Sequence, residues 1–266
     1  MATLSLRLAH LYPRRMNIYG DRGNILALRY RCQARGIELT VEELEVGEPL
    51  DPARFDIIFI GGAQDREQRL VAQDLASQKG PALREAAAAG AVVLAVCGGY
   101  QLLGHYYRTA QGEELPGVGL FDAWTVHPGP GARRFIGDVV VEWESRTLVG
   151  FENHGGRTYL GPDARPLGRV LAGFGNNGED GYEGAVRGSA FGTYLHGSLL
   201  PKNPHFTDRL ISLALERRYP GAALPPLDDS LEAQAHAAAV RIARRRHILR
   251  RWKELTGGVM TWLSKR

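Results

Sequence analysis

The stretch Ala91-Val-Val-Leu-Ala-Val-Cys97-Gly98-Gly99-Tyr100-Gln101 decides the fold of the chain. Its first half is apolar and rich in β-branched residues, which is typical of a buried parallel strand, and its second half opens a helix. Cys97 therefore lies on the turn between a strand and a helix. A nucleophile on such a turn needs small neighbours, and Ala95 and Gly99 supply them. The strand followed directly by a helix predicts an α/β fold. Because a helix N-terminus favours the thiolate, the stretch also predicts that Cys97 is reactive.

A second interpretation of Cys97 is that it only fills space at the end of a buried strand, as many intracellular cysteines do. The pair Gly98-Gly99 argues against this, because a packing cysteine does not require glycine where a helix would favour alanine. Cys32 provides the contrast. It lies in the helical pattern of residues 25–32 with no glycine beside it, so we expect Cys32 to be a core residue.

Length and composition limit the class of protein. A chain of 266 residues with 44% hydrophobic residues can bury one large α/β core or a core followed by a tail, and 33 glycines suit many tight turns. Two cysteines without an evident pairing indicate a reducing compartment. No signal peptide is evident, and the longest apolar run is shorter than the roughly 20 residues of a membrane span. We therefore expect a cytoplasmic protein.

The net charge of +4 is unevenly distributed along the chain. Residues 236–266 contain nine Lys or Arg against the single Glu254, so this segment carries +8 and the preceding residues carry −4. The basic isoelectric point therefore belongs to the C-terminal segment and not to the rest of the chain.

Three prolines between residues 220 and 226 separate a predicted body, residues 1–220, from a tail, residues 225–266. The tail predicts an amphipathic helix from about Ser230 to Leu255. We expect this helix to dock on the body, on a partner or near an anionic membrane surface, or to be simply solvated. Its weakly apolar stripe consists of Leu231, Ala235, Ala238, Ala239, Ile242, Ile248, Leu249 and Trp252.

A second glycine pair, Gly61-Gly62, follows the buried run of residues 55–60. It lies at the carboxyl end of a predicted strand, the edge where open α/β sheets build their sites. One interpretation is a strand–helix turn that needs glycine. The other is that the amide of Gly62, unobstructed by a Cβ atom, donates to an oxyanion during catalysis, and losing one such donor costs roughly 3 kcal/mol.

A histidine ends the last predicted strand of the body. The run of residues 190–195 leads directly to His196, and the glycine that follows leaves His196 sterically able to face Cys97. His154 is the second candidate, but it precedes a glycine turn and does not end the last core strand. We expect the other histidines to be surface or satisfied core residues: His10, His105, His127, His205, His236 and His247.

The Gly-Gly, Cys-Gly-Gly-Tyr-Gln and His strand ends, in this order, resemble those of the class I glutamine amidotransferases, in the branch of the cobyric acid synthases. The resemblance extends over about residues 4–215 and implies an α/β fold with a central, mostly parallel sheet flanked by helices. Three further motifs resemble those of the small, GatD-type subunits of lipid II isoglutaminyl synthases. They lie at residues 17–24, 134–138 and 150–157.

The resemblance implies a glutaminase that uses cysteine chemistry. Cys97 attacks the carboxamide of L-glutamine, the amides of Gly62 and Gly98 stabilise the oxyanion, and water hydrolyses the γ-glutamyl thioester after ammonia has left. His196 is expected to serve as both base and acid. The resemblance also implies a heterodimer with a Mur-ligase-like, MurT-type synthetase subunit. That partner would use ATP and Mg²⁺ to amidate the D-glutamate α-carboxylate of lipid II in peptidoglycan synthesis, and no cofactor is expected in this chain.

Two further residues receive roles from the resemblance. Arg134 would bind the α-carboxylate of glutamine, a task suited to a guanidinium group. Its neighbour Arg133 would point the opposite way on an extended segment, so only one of the two can face the site, unless both are simply solvated. Gln101, one helical turn after Cys97, would hydrogen-bond the substrate or merely support the elbow.

One feature departs from many class I amidotransferases, in which the active histidine is followed by Pro-Glu. Here the chain reads His196-Gly197-Ser198, and no acid stands two places on. An imidazole that shuttles a proton needs its second nitrogen engaged. We therefore hypothesise that the partner supplies the orienting Asp or Glu, so that assembly switches catalysis on.

Three alternatives are open at this level. The chain could be an amidase or peptidase that acts alone on another amide, or a noncatalytic subunit that keeps the fold for binding. The second is disfavoured by the joint presence of Gly62, Cys97, Gln101 and His196. A nucleic-acid role for the tail is weakly supported, because its arginines lack interleaved aromatic residues, and none is expected.

Overall fold

The computed structural model describes residues 4–196 and 199–263. The strands in chain order are β1 Ser5–Leu11, β2 Glu38–Leu44, β3 Ile57–Ile60, β4 Val92–Val96, β5 Tyr106–Arg108, β6 Glu114–Pro116, β7 Ala123–Val126, β8 Phe135–Trp143, β9 Arg146–His154, β10 Arg157–Leu160, β11 Gly168–Ala172, β12 Tyr182–Glu183, β13 Ala185–Arg187 and β14 Ala190–Thr193. The helices are α1 Arg22–Gln33, α2 Asp65–Asp74, α3 Gly80–Ala88, α4 Gly98–Leu103, α5 Leu199–Lys202, α6 Pro204–Arg218 and α7 Ser230–Leu263, with a π-helical turn, Leu75–Lys79, between α2 and α3.

The central sheet has six strands in the order β13-β14-β4-β3-β1-β2. Four of its strand pairs are parallel, and only the edge pair β13–β14 is antiparallel. Every residue of β3, β4 and β14 is buried, because helices cover both faces of a parallel sheet. The prediction of a central, mostly parallel sheet flanked by helices is confirmed. Cys32 is fully buried in α1, as expected for a core residue.

Two smaller sheets lie beside the central sheet, in the orders β10-β7-β5-β6 and β12-β11-β8-β9. The sequence predicts several of their strands but not their grouping into sheets, because that grouping depends on pairings between distant segments. The hairpin β8–β9 reaches the central sheet through Phe151 and His196, whose backbones exchange hydrogen bonds of 3.2 and 2.7 Å. This contact brings the ends of β8 and β9 to the edge of the central sheet where β4 and β14 end.

The predicted tail helix is confirmed as α7, which begins at Ser230 and continues to Leu263, beyond the expected end. It packs on the sheet that contains β8, β9 and β11. The contact face is narrower than the predicted stripe, since Ala243, 2% exposed, lies at its centre and Ala239 and Val240 flank it. Small side chains allow the helix to approach the sheet closely. The larger members of the predicted stripe are exposed instead: Leu231, Ile242, Ile248, Leu249 and Trp252.

A buried arginine ties the start of the tail to the body. Arg31 in α1 contacts Asp208 in α6 and Asp229 just before α7, each at 2.6 Å, and its side chain is only 4% exposed. Breaking such a buried pair by removing one partner is costly, because the remaining charge loses its compensation. Further along α7, Arg246 pairs with Asp138 of β8 at 2.6 Å on the surface. These ion pairs hold the tail to the body in addition to the packing of Ala243 on the sheet.

Candidate active site

The turn after β4 has the geometry of a nucleophile elbow. Cys97 has φ +50° and ψ −106°, a conformation that side-chain-bearing residues rarely adopt, and α4 begins at the next residue. The two glycines that follow are required by close packing. A Cβ atom on Gly98 would lie 2.9 Å from the Ala63 nitrogen, and one on Gly99 would lie 2.8 Å from the Ile60 carbonyl oxygen. The loop after β3 therefore presses directly against the elbow.

His196 lies beside the elbow because β14 runs parallel to β4. The Cys97 N–H donates to the Thr193 carbonyl at 2.8 Å, and three residues later the chain reaches His196. A Cβ atom on Gly62 would lie 2.6 Å from His196 Cε1 and 3.2 Å from Cys97 Cβ. Glycine at position 62 thus leaves the space in which the cysteine and histidine meet.

Asp21 orients His196 from within the chain. Its Oδ1 lies 3.3 Å from His196 Nδ1, and both side chains are fully buried. A carboxylate accepts hydrogen bonds, so His196 Nδ1 carries the proton and Nε2 is the nitrogen left for Cys97. Nε2 is buried and has no hydrogen-bond partner in the part of the chain that the structure describes. The chain itself thus places one carboxylate against His196, and the hypothesis that the partner supplies the orienting acid stays a prediction.

Asp21 was missed because it stands 175 positions before His196 along the chain. In the sequence it reads as a possible cap of α1, and it does occupy the N-cap position. Its side chain makes no capping hydrogen bond and turns instead toward the site. The available signal was its place in the motif at residues 17–24, but spacing along the chain does not show which strand end that motif meets.

The electrostatics of His196 favour its charged form. Burial lowers the pKa of His196, but the charge of the adjacent Cys97, together with the hydrogen bond and the charge of Asp21, outweighs burial and raises the pKa to about 10. An imidazolium group next to sulfur favours the thiolate, the form of cysteine that attacks carbonyl groups. Tyr19 covers the imidazole, its ring edge-on to that of His196 at a centroid distance of 5.1 Å.

The expected role of the Gly62 amide needs correction. Its N–H donates to Asp21 Oδ2 at 2.6 Å, so it positions the acid and does not face a substrate oxygen. The next amide, that of Ala63, makes no hydrogen bond within residues 4–196 and 199–263, and Ala63 lines the same pocket as Cys97. The amide of Gly98 is the first of α4 and has no partner within the helix. Ala63 and Gly98 are therefore the amides available to an oxyanion.

A pocket of about 490 Å³ opens in front of Cys97. This volume suits a small metabolite. Arg134 lies at its edge and donates from Nε and Nη2 to the side-chain and backbone oxygens of Asn153, each at 3.1 Å. Asn153 in turn donates to the Tyr19 hydroxyl at 2.7 Å. The pocket is lined by Ile18, Tyr19, Ala63, Gln64, Asp65, Arg66, Gln68, Cys97, Gln101, Tyr107, Arg134, Ile136, Asn153, His154 and Gly155.

The two neighbouring arginines differ in direction, as the alternation of an extended segment predicts. Arg134 lines the pocket, whereas the guanidinium of Arg133 lies over the ring of Phe174, 5.1 Å from its centroid. Of the pair, Arg134 is thus the residue that the structure brings to the site.

Gln101 lines the pocket but is also engaged inside the protein. Its Oε1 accepts from Gln68 Nε2 at 3.0 Å, and its Nε2 donates to the Tyr194 hydroxyl at 3.1 Å. These contacts agree with the alternative that Gln101 supports the elbow. Gln68, which contacts it, was not singled out from the sequence.

His154, the second histidine candidate, lines the same pocket but differs from His196 in its protonation state. Its ring stacks on Tyr194 at a centroid distance of 3.6 Å, and its Nδ1 lies 2.8 Å from the Gly156 carbonyl oxygen. Burial lowers the pKa of His154 to about 3, so this imidazole is neutral near pH 7. The carboxylate partner that orients His196 is replaced here by a backbone carbonyl.

Residues 4–196 and 199–263 show neither a metal site nor a membrane span. They contain no group of three or more His, Cys, Asp or Glu side chains able to hold a metal ion. No helix in the same part of the chain is both long enough and apolar enough to cross a membrane.

A parallel sheet with a cysteine elbow on one strand end and a histidine on the next is the architecture of the class I glutamine amidotransferases. A chain from the structure of PurLQS from Thermotoga maritima shares the fold, with a TM-score of 0.55 at 17% identity over 79% of this chain and 98% of that chain. A crystal structure of a glutamine amidotransferase gives a TM-score of 0.52 at 15% identity, over 77% and 98% of the two chains. Within this class, the chain belongs to the CobB/CobQ-like glutamine amidotransferase family, whose domain matches residues 7–204.

Three curated relatives indicate which members of this family the chain is similar to. The GatD subunit of the glutamine-hydrolysing lipid II isoglutaminyl synthase of Staphylococcus aureus is 44% identical over 240 residues, which cover 90% of this chain and 96% of the relative. The GatD subunit of Streptococcus pneumoniae is 41% identical over 232 residues, covering 86% and 88%. A cobyric acid synthase of Pelotomaculum thermopropionicum is 37% identical over 165 residues, covering 57% of this chain and 31% of that protein.

Proposed function

We propose that this chain is the glutamine-hydrolysing subunit of a lipid II isoglutaminyl synthase. It releases ammonia from L-glutamine for a Mur-ligase-like synthetase subunit, which amidates the D-glutamate α-carboxylate of lipid II. The observation that carries the proposal is the convergence of Cys97, His196 and Asp21 beside a pocket edged by Arg134. The names of the GatD relatives support the acceptor and the subunit role.

The proposed reaction begins with attack of Cys97 Sγ on the carboxamide carbon of glutamine. The amides of Gly98 and Ala63 stabilise the oxyanion, and His196 Nε2 delivers its proton to the leaving nitrogen, so that ammonia departs. His196 then removes a proton from water, whose oxygen attacks the γ-glutamyl thioester. Glutamate leaves and Cys97 is regenerated, for a net conversion of glutamine and water into glutamate and ammonia. Asp21 keeps the His196 proton on Nδ1 throughout.

The test of this proposal is an assay with two readouts. The purified chain is given L-glutamine, and glutamate is measured; then the chain and its synthetase partner are given glutamine, ATP, Mg²⁺ and lipid II, and the amidated product is measured. We expect glutamate in the first assay and amidated lipid II only in the second. Hydrolysis of other amides but not of glutamine would favour the stand-alone amidase, and glutamine hydrolysis without lipid II amidation would favour a different synthetase.

The proposed binding role of Arg134 gives a prediction with its own control. We expect Arg134→Ala to raise the KM for glutamine about 10- to 100-fold, because a charge-assisted hydrogen bond to a carboxylate is worth about 1.5–3 kcal/mol. Arg133→Ala removes the same charge from a side chain directed at Phe174 and should change KM less than 3-fold, an effect of about 0.6 kcal/mol or less. Steady-state kinetics of both variants decide the matter. The reverse ranking would show that Arg133 is the binding residue.

We also propose that α7 contributes to assembly with the synthetase partner at the membrane surface where a lipid-linked acceptor resides. Its outward face carries exposed Ile242, Leu249 and Trp252 among arginines, which suits an anionic surface. The proposed activity is cytoplasmic, in keeping with two unpaired cysteines.

The tail prediction is tested in two steps. A chain that ends near Pro225 loses the cover over Val140, Val149 and Ala172, so we expect it to be less stable as well as defective in the complex. The double variant Leu249→Gln, Trp252→Gln changes only exposed side chains. It should keep its melting temperature and glutaminase rate but assemble or amidate lipid II several-fold less well. Full activity of both altered chains in the complex would leave α7 without a functional role.

A further inference from the structure

Gln68 is a buried side chain in the wall of the active-site pocket that the proposed reaction has not used. It lies in the first turns of α2 and is 2% exposed. It lines the same pocket as Cys97. Its Oε1 is buried and has no hydrogen-bond partner among residues 4–196 and 199–263. A buried acceptor without a donor is rare in proteins and calls for a physical account.

The orientation of the Gln68 amide follows from its neighbours. Gln68 Nε2 donates to the Ala63 carbonyl at 3.1 Å and to Gln101 Oε1 at 3.0 Å. A backbone carbonyl can only accept, so the atom that faces it must be the NH₂ group. Turning the amide over would set Oε1 against the Ala63 oxygen and lose both bonds. Oε1 is therefore the acceptor that is left over.

The position of this amide is at the reacting end of the pocket. A Cβ atom on Gly98 would lie 3.0 Å from Gln68 Nε2 and 2.9 Å from the Ala63 nitrogen. The Gln68 amide thus lies beside the two backbone amides assigned to the oxyanion. Because the oxygen and the nitrogen of a carboxamide are bonded to the same carbon, a substrate oxygen held by those amides keeps the NH₂ group close to the Gln68 side chain, where it needs an acceptor.

We propose that Gln68 Oε1 accepts a hydrogen bond from the carboxamide nitrogen of the substrate and so selects an amide over a carboxylate or an ester. The assignment rests on the proposed glutaminase function. Glutamine offers an N–H donor to Oε1, whereas the ionised side chain of glutamate offers only acceptors and is repelled. The same contact lowers the affinity for the product glutamate, which shares every other group with the substrate.

The experiment compares L-glutamine with the γ-methyl ester of L-glutamate. The ester has the same α-groups and forms the same thioester with Cys97, but its leaving oxygen carries no hydrogen to donate. In Gln68→Met we expect kcat/KM for glutamine to fall at least 10-fold more than kcat/KM for the ester. The inhibition constant of L-glutamate should fall relative to the KM for glutamine.

The matched control is Gln101→Met, which breaks the same Gln68–Gln101 hydrogen bond from the other side and leaves Oε1 in place. Its amide-to-ester ratio should stay within 3-fold of that of the unmodified chain, whatever the change in absolute rate. Equal losses on both substrates in Gln68→Met would overturn the assignment and make Gln68 a structural residue. An unmodified chain that hydrolyses neither substrate would overturn the proposed glutaminase function and this assignment together.

A binding measurement covers the case in which Gln68→Met does not fold. Calorimetry on the Cys97→Ala chain, which retains Gln68, compares L-glutamine with L-glutamate. We expect glutamine to bind at least 10-fold more tightly. Equal affinities would overturn the proposal, because no discrimination would then exist for Gln68 to explain.

Discussion

We expect Cys97→Ala to abolish glutamine hydrolysis, with a fall in kcat of about 10⁶-fold, because the thioester cannot form without the nucleophile. Removing the nucleophile of a cooperating set costs nearly as much as removing the whole set, so His196 and Asp21 do not compensate. Cys97→Ser should be nearly as inactive, since a hydroxyl is far less readily ionised than a thiol. Glutamate release measured by a coupled assay provides the test.

The same substitution should leave the fold intact. Alanine is smaller than cysteine and keeps its β-carbon, so the strained backbone at position 97 is no more crowded than before. The thermal melting curve of Cys97→Ala should therefore match that of the unmodified chain within a few degrees. Turnover at the unmodified rate in this variant would remove Cys97 from the mechanism.

The other cysteine provides a control for the chemistry. Burial raises the pKa of Cys32 to about 12, so it is a poor nucleophile at neutral pH. A glutamine-like affinity label should therefore modify the unmodified chain and Cys32→Ala, but not Cys97→Ala. Labelling that follows Cys32 would contradict the assignment of the site.

The second large effect is expected from Asp21→Asn, which should lower kcat about 10³- to 10⁴-fold with little change in fold. Asparagine can accept the Gly62 N–H through its oxygen, but its NH₂ group then faces His196. A donor at that position forces the imidazole proton onto Nε2, where it points at sulfur. His196 would then be unable to take the proton of Cys97.

The pH profile separates this role from a merely structural one. Asp21 helps to raise the pKa of His196, so loss of the Asp21 charge should lower that pKa. The imidazole of His196 would then be protonated over a narrower pH range. The basic limb of the kcat profile of Asp21→Asn should accordingly move to lower pH. Asp122→Asn is the matched control, since Asp122 contacts His105 at 2.9 Å outside the pocket. It should change neither the rate nor the profile.

The isolated chain tests whether this internal carboxylate is sufficient. If the chain alone hydrolyses glutamine and Asp21→Asn removes that activity, no partner residue is needed to orient His196. An unchanged rate and an unchanged pH profile in Asp21→Asn would contradict the positioning role. A complex whose activity depends on an interfacial carboxylate of the partner would return the orienting function to that subunit.

The sequence predicts the central sheet and the elbow because both are local. The apolar run before Cys97 predicts a buried strand, and the glycines after Cys97 indicate close packing against another segment. The alternation of an extended segment predicted that only one of Arg133 and Arg134 faces the pocket, and the family resemblance chose Arg134. The tail helix could also be predicted from the sequence, since helical spacing is a local property.

The remaining features depend on tertiary contacts, which the spacing of residues along the chain does not predict. The alanine face of α7 meets a sheet whose strands are grouped only in the folded chain, so the sequence did not show which part of the apolar stripe packs on the body. Gln68 became a candidate only when its neighbours fixed the direction of its amide.

The sequence by itself determined the class of fold, the cysteine elbow and the histidine that ends the last core strand. Each is specified by a few neighbouring residues and follows from their preferences for strand, turn and helix. Only the tertiary structure decided that Asp21 orients His196 and that the Gly62 amide serves Asp21 instead of an oxyanion. These pairings join residues 175 and 41 positions apart, and the directions of their hydrogen bonds are set when the β1–α1 loop closes over the strand ends.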